Sequence, residues 1–170
     1  DTLEGQRFRV LDRANNLEPT LDDTRVTEWV NFGDSQRLLD ELMARALAEQ
    51  VMPRTGLDIE WYEEPQLLRY RAGGFYVYHS DADYYDIEHR VWRRSVDRDI
   101  SLIVYLNDEY TGGELEFKRL CYTVRPRAGM LVWFPSDVRF EHMARVVTSG
   151  RRYALVSWAA AAGVERVQAE

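Results

Sequence analysis

Cysteine is almost absent from this chain of 170 residues. Cys121 stands alone, so no internal disulfide framework can form, and a reducing compartment suits the composition. Long apolar runs are missing, as is the start of a secretory signal, so neither membrane insertion nor a membrane partner is expected. Basic residues are outnumbered, 22 Lys and Arg against 29 Asp and Glu for a net charge of −7. They gather into no sustained stripe, which argues against nucleic acid. These absences favour a cytoplasmic protein. The first residue is Asp1 rather than Met, so a trimmed or excised domain is expected and native targeting is not legible. Nothing in the sequence fixes an oligomeric state. Histidine is scarce too, with three residues at 79, 89 and 142.

The length suits one domain with a real core, here residues 1–170, divided into a helical or irregular lead-in over 1–56 and a β core over 57–160. In the lead-in, Arg7–Leu11 and Thr24–Phe32 have weak strand character. Gly33-Asp34-Ser35 offers a helix N-cap. Leu38, Leu39, Leu42, Met43, Ala46, Leu47 and Val51 then recur at helical spacing, predicting an amphipathic helix that ends before Pro53 and covers one face of a sheet. Short strands follow over 59–62, 66–71, 75–81, 100–106, 115–117, 122–124, 130–134, 141–147 and 152–158, with Gly73-Gly74 as a turn and 107–113 as a turn region. Residues 82–98 have no clean period and are expected to form a long loop. The Ala-rich last dozen residues are expected to fray. Many short strands with Gly, Pro and Asn punctuation predict a mainly β sandwich or jelly roll with a supporting N-terminal helix.

Within this pattern, His79 and Asp81 stand two apart on a predicted strand, so both side chains point to one face. With His142 brought in from another strand they make a 2-His-1-carboxylate set. That set holds three positions of an octahedral metal and leaves three open, which suits non-haem Fe(II) oxygen chemistry. Asp83 shares the parity but stands too far along the strand to chelate the same ion. A lone His-x-Asp is common on strands without a metal, and further matches carry the argument.

Those matches run in order along the chain. Tyr70-x-x-Gly73-x-x-Tyr76-x-x-His79-x-Asp81 is followed by Tyr105-Leu106-Asn107 and Gly112-Gly113-Glu114-Leu115. Pro126-x-Ala-Gly129 leads into Leu131-Val-Trp-Phe134, and His142, Val147-Thr148-x-Gly150-x-Arg152 and Trp158 close the set. Over 67–158 the chain resembles the Fe(II)/2-oxoglutarate dioxygenases, in their prolyl 4-hydroxylase-type branch. The resemblance implies a double-stranded β-helix (jelly roll) with His79, Asp81 and His142 as metal ligands and catalytic centre. It implies Fe(II), 2-oxoglutarate and O2 as cofactor and cosubstrates, with ascorbate as a candidate accessory reductant. The implied reaction hydroxylates an unactivated C–H and releases succinate and CO2. A prolyl or other residue of a protein or peptide is the favoured substrate, and a free amino acid or small metabolite the alternative. Arg152 takes the position of the cation that holds the distal carboxylate, a task that a bidentate guanidinium suits. Strand alternation favours Arg152 over Arg151, because it shares a face with Ala154, Val156 and Trp158. The resemblance also gives Tyr105, and with less definition Tyr70, as residues lining the cosubstrate site.

Other residues are expected to be structural. His89 reads as a surface histidine, Cys121 as a packed thiol, and Met130 and Met143 as core filler. Trp133 and Trp158 border either the cavity or the core. A cupin-type metalloprotein would carry His-x-His where this chain has Asp81. A non-catalytic jelly-roll binding module would be expected to lose a ligand or the arginine, and neither is lost. The loop over 82–98 carries Tyr84, Tyr85, Trp92 and four arginines directly after Asp81. It is expected to act as a lid over the substrate.

Overall fold

The computed structural model describes residues 5–7, 24–31 and 33–167. Three short strands come first: β1 (Gly5–Arg7), β2 (Arg25–Val26) and β3 (Glu28–Val30). Helix α1 (Gln36–Ala46) runs through a π-helical turn (Leu47–Val51) into α2 (Met52–Thr55). Strands β4 (Ile59–Tyr62), β5 (Gln66–Arg71) and β6 (Phe75–His79) follow, then β7 (Asp83–Asp86) and β8 (Val91–Arg94). The remainder is β9 (Ile100–Tyr105), β10 (Tyr110–Gly112), β11 (Leu115–Phe117), β12 (Tyr122–Val124), β13 (Leu131–Pro135), β14 (His142–Ala144) and β15 (Val147–Ala161). Residues 8–11, within the first predicted strand, lie outside the described residues.

Two antiparallel sheets make the jelly roll. The larger runs β1-β3-β5-β15-β9-β13, with β4 and β10 also pairing along β15; the smaller runs β12-β11-β14-β6-β2. One face of the larger sheet packs on the helix through Leu102, Val104, Leu155 and Ala159 against Met43, Ala46, Leu47 and Val51. The other face meets the smaller sheet through Leu68, Ile103, Ala154 and Val156 against Leu115, Phe117 and Ala144. Strand β9 is therefore covered on both sides. All six of its residues are buried, which is why it reads as a nearly continuous apolar run broken only by Ser101.

The helical lead-in departs from expectation in three ways. Ser35 makes no side-chain cap; the chain enters α1 through a 3-10 turn, Gly33–Ser35, with Asn31 Oδ1 accepting from the Gly33 amide at 2.8 Å. The helical path continues past Pro53 to Gly56, which closes it at φ 70°. Proline removes one donor, and Arg54 Nη1 supplies another, donating to the Gln50 carbonyl at 2.9 Å and the Glu49 carbonyl at 3.3 Å. The buried stripe is also narrower than the apolar spacing, since Leu38 is 65 % and Leu42 36 % exposed.

The expected loop over 82–98 is a hairpin. Strands β7 and β8 pair Asp83 with Arg94, Tyr84 with Arg93 and Tyr85 with Trp92. Opposite charges and aromatic rings placed across from each other stabilise such a ladder. Its turn lacks glycine and asparagine: Arg90 takes the left-handed conformation at φ 53°. The Asp86 carboxylate accepts from the His89 amide at 3.0 Å and from Arg93 Nε at 2.8 Å. The Ala-rich end also departs from expectation, because Ala159, Ala160 and Ala161 are fully buried on β15, where they pair with β4.

Candidate active site

Strands β6 and β14 run side by side, and the pair places His79 directly opposite His142. Each Nδ1 lies 2.9 Å from the carbonyl two residues earlier, Val77 for His79 and Phe140 for His142. The ring nitrogens facing those carbonyls carry the protons, which turns both Nε2 atoms toward Asp81, at 3.5 Å and 3.7 Å from its oxygens. Ligand atoms from the three residues all lie within 4.8 Å of one another.

Strand β6 ends at His79, so Asp81 lies just beyond it rather than on it. Its carboxylate still joins the two imidazoles, and contacts other than strand pairing hold it there. Ser101 Oγ donates to Asp81 Oδ2 at 2.6 Å and lies 2.8 Å from Ser136 Oγ. Arg98 Nη1 donates to the Asp81 carbonyl at 3.2 Å. Burial alone would raise the Asp81 carboxyl, but the His142 and His79 rings and the Ser101 hydroxyl hold it well below the usual range. Burial, followed by the neighbouring His79, lowers His142 to about 4. At neutral pH this gives an ionised carboxylate beside a neutral imidazole, the protonation states that a metal requires. Asp83 is absent from the cluster; its carboxylate accepts from the Val138 amide at 2.7 Å.

Arg152 occupies the other end of a cavity of about 220 Å³, which both groups line along with Leu68, Tyr70, Ile103, Leu115 and Val156. It projects from β15 directly across from Tyr70, and its guanidinium lies 4.5 Å from the centre of that ring. Nη2 donates to the Tyr105 hydroxyl at 3.4 Å, which ties that buried phenol to the arginine end of the cavity. Nε and Nη1 are buried without a hydrogen-bond partner, and no carboxylate among the described residues pairs with the side chain. Burial works against its charge, yet the surrounding phenols of Tyr105, Tyr70 and Tyr110 hold its guanidinium above the ordinary value. Arg151 is exposed on the opposite face. Gly113, at φ 68°, leaves Arg152 room, since a Cβ there would stand 3.0 Å from Arg152 Cδ.

Residues 65–160 match the family model of the 2OG-Fe(II) oxygenase superfamily. The chain belongs to that superfamily. Within it the likeness is to prolyl hydroxylases. Human prolyl 3-hydroxylase 3 is 46 % identical over 66 residues, which is 36 % of this chain and 9 % of that protein. The chain thus spans about a tenth of the curated relatives it matches. Among solved structures, a Pseudomonas putida prolyl-4-hydroxylase is 25 % identical with a TM-score of 0.62, covering 84 % of this chain and 76 % of that one. The 2-oxoglutarate complex of a viral collagen prolyl hydroxylase from Paramecium Bursaria Chlorella virus-1 shares the fold at 24 % identity and a TM-score of 0.65, covering 81 % and 80 %.

Membership of the 2OG-Fe(II) oxygenases implies Fe(II), 2-oxoglutarate and O2, and the residues present fit them. Two imidazoles and a carboxylate match the metal, and the unmatched donors of buried Arg152 match a distal carboxylate. Several residues of this oxygenase site gave no sequence signal. Ser101 sits in a buried strand and Ser136 just after one, and nothing local marks either. Tyr76, already part of the first motif, stacks on His79 with ring centres 3.6 Å apart, and Arg98, as unmarked as the serines, stacks on Trp158 at 3.8 Å while paired to Glu63 at 2.7 Å. Trp158 thereby lines the cavity, whereas Trp133 packs on the helix side. His89 is a surface residue beside Asp86. Cys121 corrects the expectation of a packed thiol: it is exposed, in a turn, at φ 49°.

Proposed function

We propose that this chain is an Fe(II)- and 2-oxoglutarate-dependent hydroxylase acting on a prolyl residue of a protein or peptide. The observation that carries this is one cavity with a three-ligand cluster at one end and a buried arginine with unmatched donors at the other. His79, Asp81 and His142 hold the metal in this proposal, and Arg152, backed by Tyr105 and Tyr70, receives the distal carboxylate of 2-oxoglutarate. The bound metal supplies activation of O2 coupled to loss of CO2 from the cosubstrate, leaving succinate.

The chain's own residues then perform four tasks. The serine pair fixes the Asp81 carboxylate in one orientation, and Arg98 holds the Asp81 backbone carbonyl. The carbonyls of Val77 and Phe140 fix each imidazole as an Nε2 ligand. Leu68, Ile103, Leu115 and Val156 line the space between the two ends and exclude water from it. Beside the cluster, the Tyr76 ring stacked on His79 and the Trp158 ring covered by Arg98 shape the cavity wall that a substrate would meet. A peptide as substrate draws support from a Trichoplax adhaerens structure of the same fold, a prolyl hydroxylase in complex with a hypoxia inducible factor peptide fragment.

The test is anaerobic loading with Fe(II) and 2-oxoglutarate, then oxygen, with a panel of proline-containing peptides and free amino acids. Succinate together with a peptide that gains one oxygen atom is expected. Oxygen gain confined to free amino acids transfers the activity to the small-molecule class, and an absence of succinate leaves a binding module. In the same assay, replacing residues 84–94 of the hairpin by a Gly/Ser linker should abolish hydroxylated product while uncoupled succinate persists. Unchanged product would remove the hairpin from substrate binding.

A further inference from the structure

Arg152 has three phenols around it, and the hydroxyl of one interacts with the guanidinium without forming a close hydrogen bond in the fold. Tyr110 stands on β10, which pairs with β15 through Tyr110–Gly150 and Gly112–Val147. Its ring lies beside the arginine stem. A side chain at Gly113 would come within 3.2 Å of Tyr110 Cε2 and 3.0 Å of Arg152 Cδ at once, so the two side chains meet over that glycine. The Tyr110 hydroxyl is buried with no hydrogen-bond partner, as are Arg152 Nε and Nη1. Phenylalanine would fill the same space without stranding a polar atom, whose burial unmatched destabilises the ligand-free protein. Burial pushes the Tyr110 phenol up to about 12, so it keeps its proton at neutral pH and can donate it.

We propose that Tyr110 is a further cosubstrate-binding residue, donating its phenol proton to the distal carboxylate held by Arg152. This rests on the proposed function, which brings a dicarboxylate to this end of the cavity. A carboxylate offers about four acceptor sites. The guanidinium fills two, and the phenols of Tyr105 and Tyr110 each have a proton for one more. Tyr105 already accepts from Arg152 Nη2 and still has its own proton to give. Every unmatched polar atom here belongs to a donor. An ionised carboxylate satisfies such a set, whereas a terminal amide or alcohol would leave donors facing donors.

The experiment is calorimetric titration of the full chain, loaded with Mn(II) in place of iron, with two ligands: 2-oxoglutarate and oxalate. Oxalate chelates metal but is too short to reach Arg152. Tyr110→Phe is expected to weaken 2-oxoglutarate binding about 10-fold or more, to leave oxalate binding unchanged, and to keep or raise the melting temperature without ligand. Unchanged 2-oxoglutarate affinity, or equal weakening of both ligands, overturns the inference alone. Wild-type protein that binds oxalate but not 2-oxoglutarate overturns the proposed function, and this inference with it.

Discussion

At the proposed metal end of the cavity each candidate ligand is already held by the protein, whereas at the far end Arg152 keeps two buried nitrogens unmatched. The first end sits where two strands of the smaller sheet meet, and carbonyls and hydroxyls hold its side chains in place. The second projects from the middle of the longest strand of the larger sheet, and tyrosines pack it without neutralising it. A metal site needs ligands oriented before the ion arrives, because three bonds form at fixed angles. An anion site needs the opposite, donors left without partners, because the ligand brings the acceptors. Ligand-free protein therefore holds its instability at the arginine end.

The largest expected effects break the metal end. His79→Ala, Asp81→Ala or His142→Ala should lower iron affinity by more than the roughly 10- to 100-fold typical of losing an outer partner, and should abolish turnover. Asp83→Ala should keep iron and lose only the contact to the Val138 amide. An iron-free Asp83 variant beside an intact Asp81 variant would reverse the assignment. Next comes the far end. Arg152→Ala should raise the 2-oxoglutarate requirement by about 30- to 4000-fold while iron affinity stays within a few fold. Arg151→Ala should do neither, and a large effect there would shift the strand register by one. Ser101→Ala separates the ends more finely: iron affinity should fall about 10-fold with 2-oxoglutarate binding to metal-loaded protein unchanged.

A last effect, read on stability rather than affinity, is a pH dependence confined to the metal end. The folded protein disfavours protonating His142, which titrates near 4 against an ordinary 6.5, so the unfolded chain binds the proton first as pH falls. Stability of the metal-free protein is thus complete above the ordinary value and lost on acidification below it. Between pH 7 and pH 5 the loss should be about 2 kcal/mol in urea unfolding. A His142→Asn variant with the same slope would assign the loss to other groups.

The site was legible because its chemistry is written in short spacings. His79-x-Asp81, a second imidazole and an arginine on the right parity survive without knowledge of tertiary contacts. What stayed hidden depends on those contacts. Ser101 matters only because β9 brings it to Asp81, and nothing local marks it. Strand β15 was expected only over 152–158, because Ser149-Gly150 interrupts its start; the glycine adopts φ 77° where Tyr110 approaches, and the ladder continues. The alanines at 159–161 carry little hydrophobic signal, yet their small size suits full burial beneath β4. The hairpin over 83–94 was missed because its turn puts Arg90, rather than glycine or asparagine, in the left-handed region.

Strand β9 touches both ends, with Ser101 at the aspartate and Tyr105 at the arginine, four residues apart on one face. It works as a ruler. Four residues of extended backbone span about 13 Å, and that span sets the separation of the two anchors more firmly than any side chain does. Keto acids one carbon shorter or longer than 2-oxoglutarate would be measured against backbone, so a changed side chain at either anchor would alter how tightly an end grips but not the length that fits. A new length would need a residue inserted in β9, and that would swing Leu102 or Val104 from the helix side into the cavity.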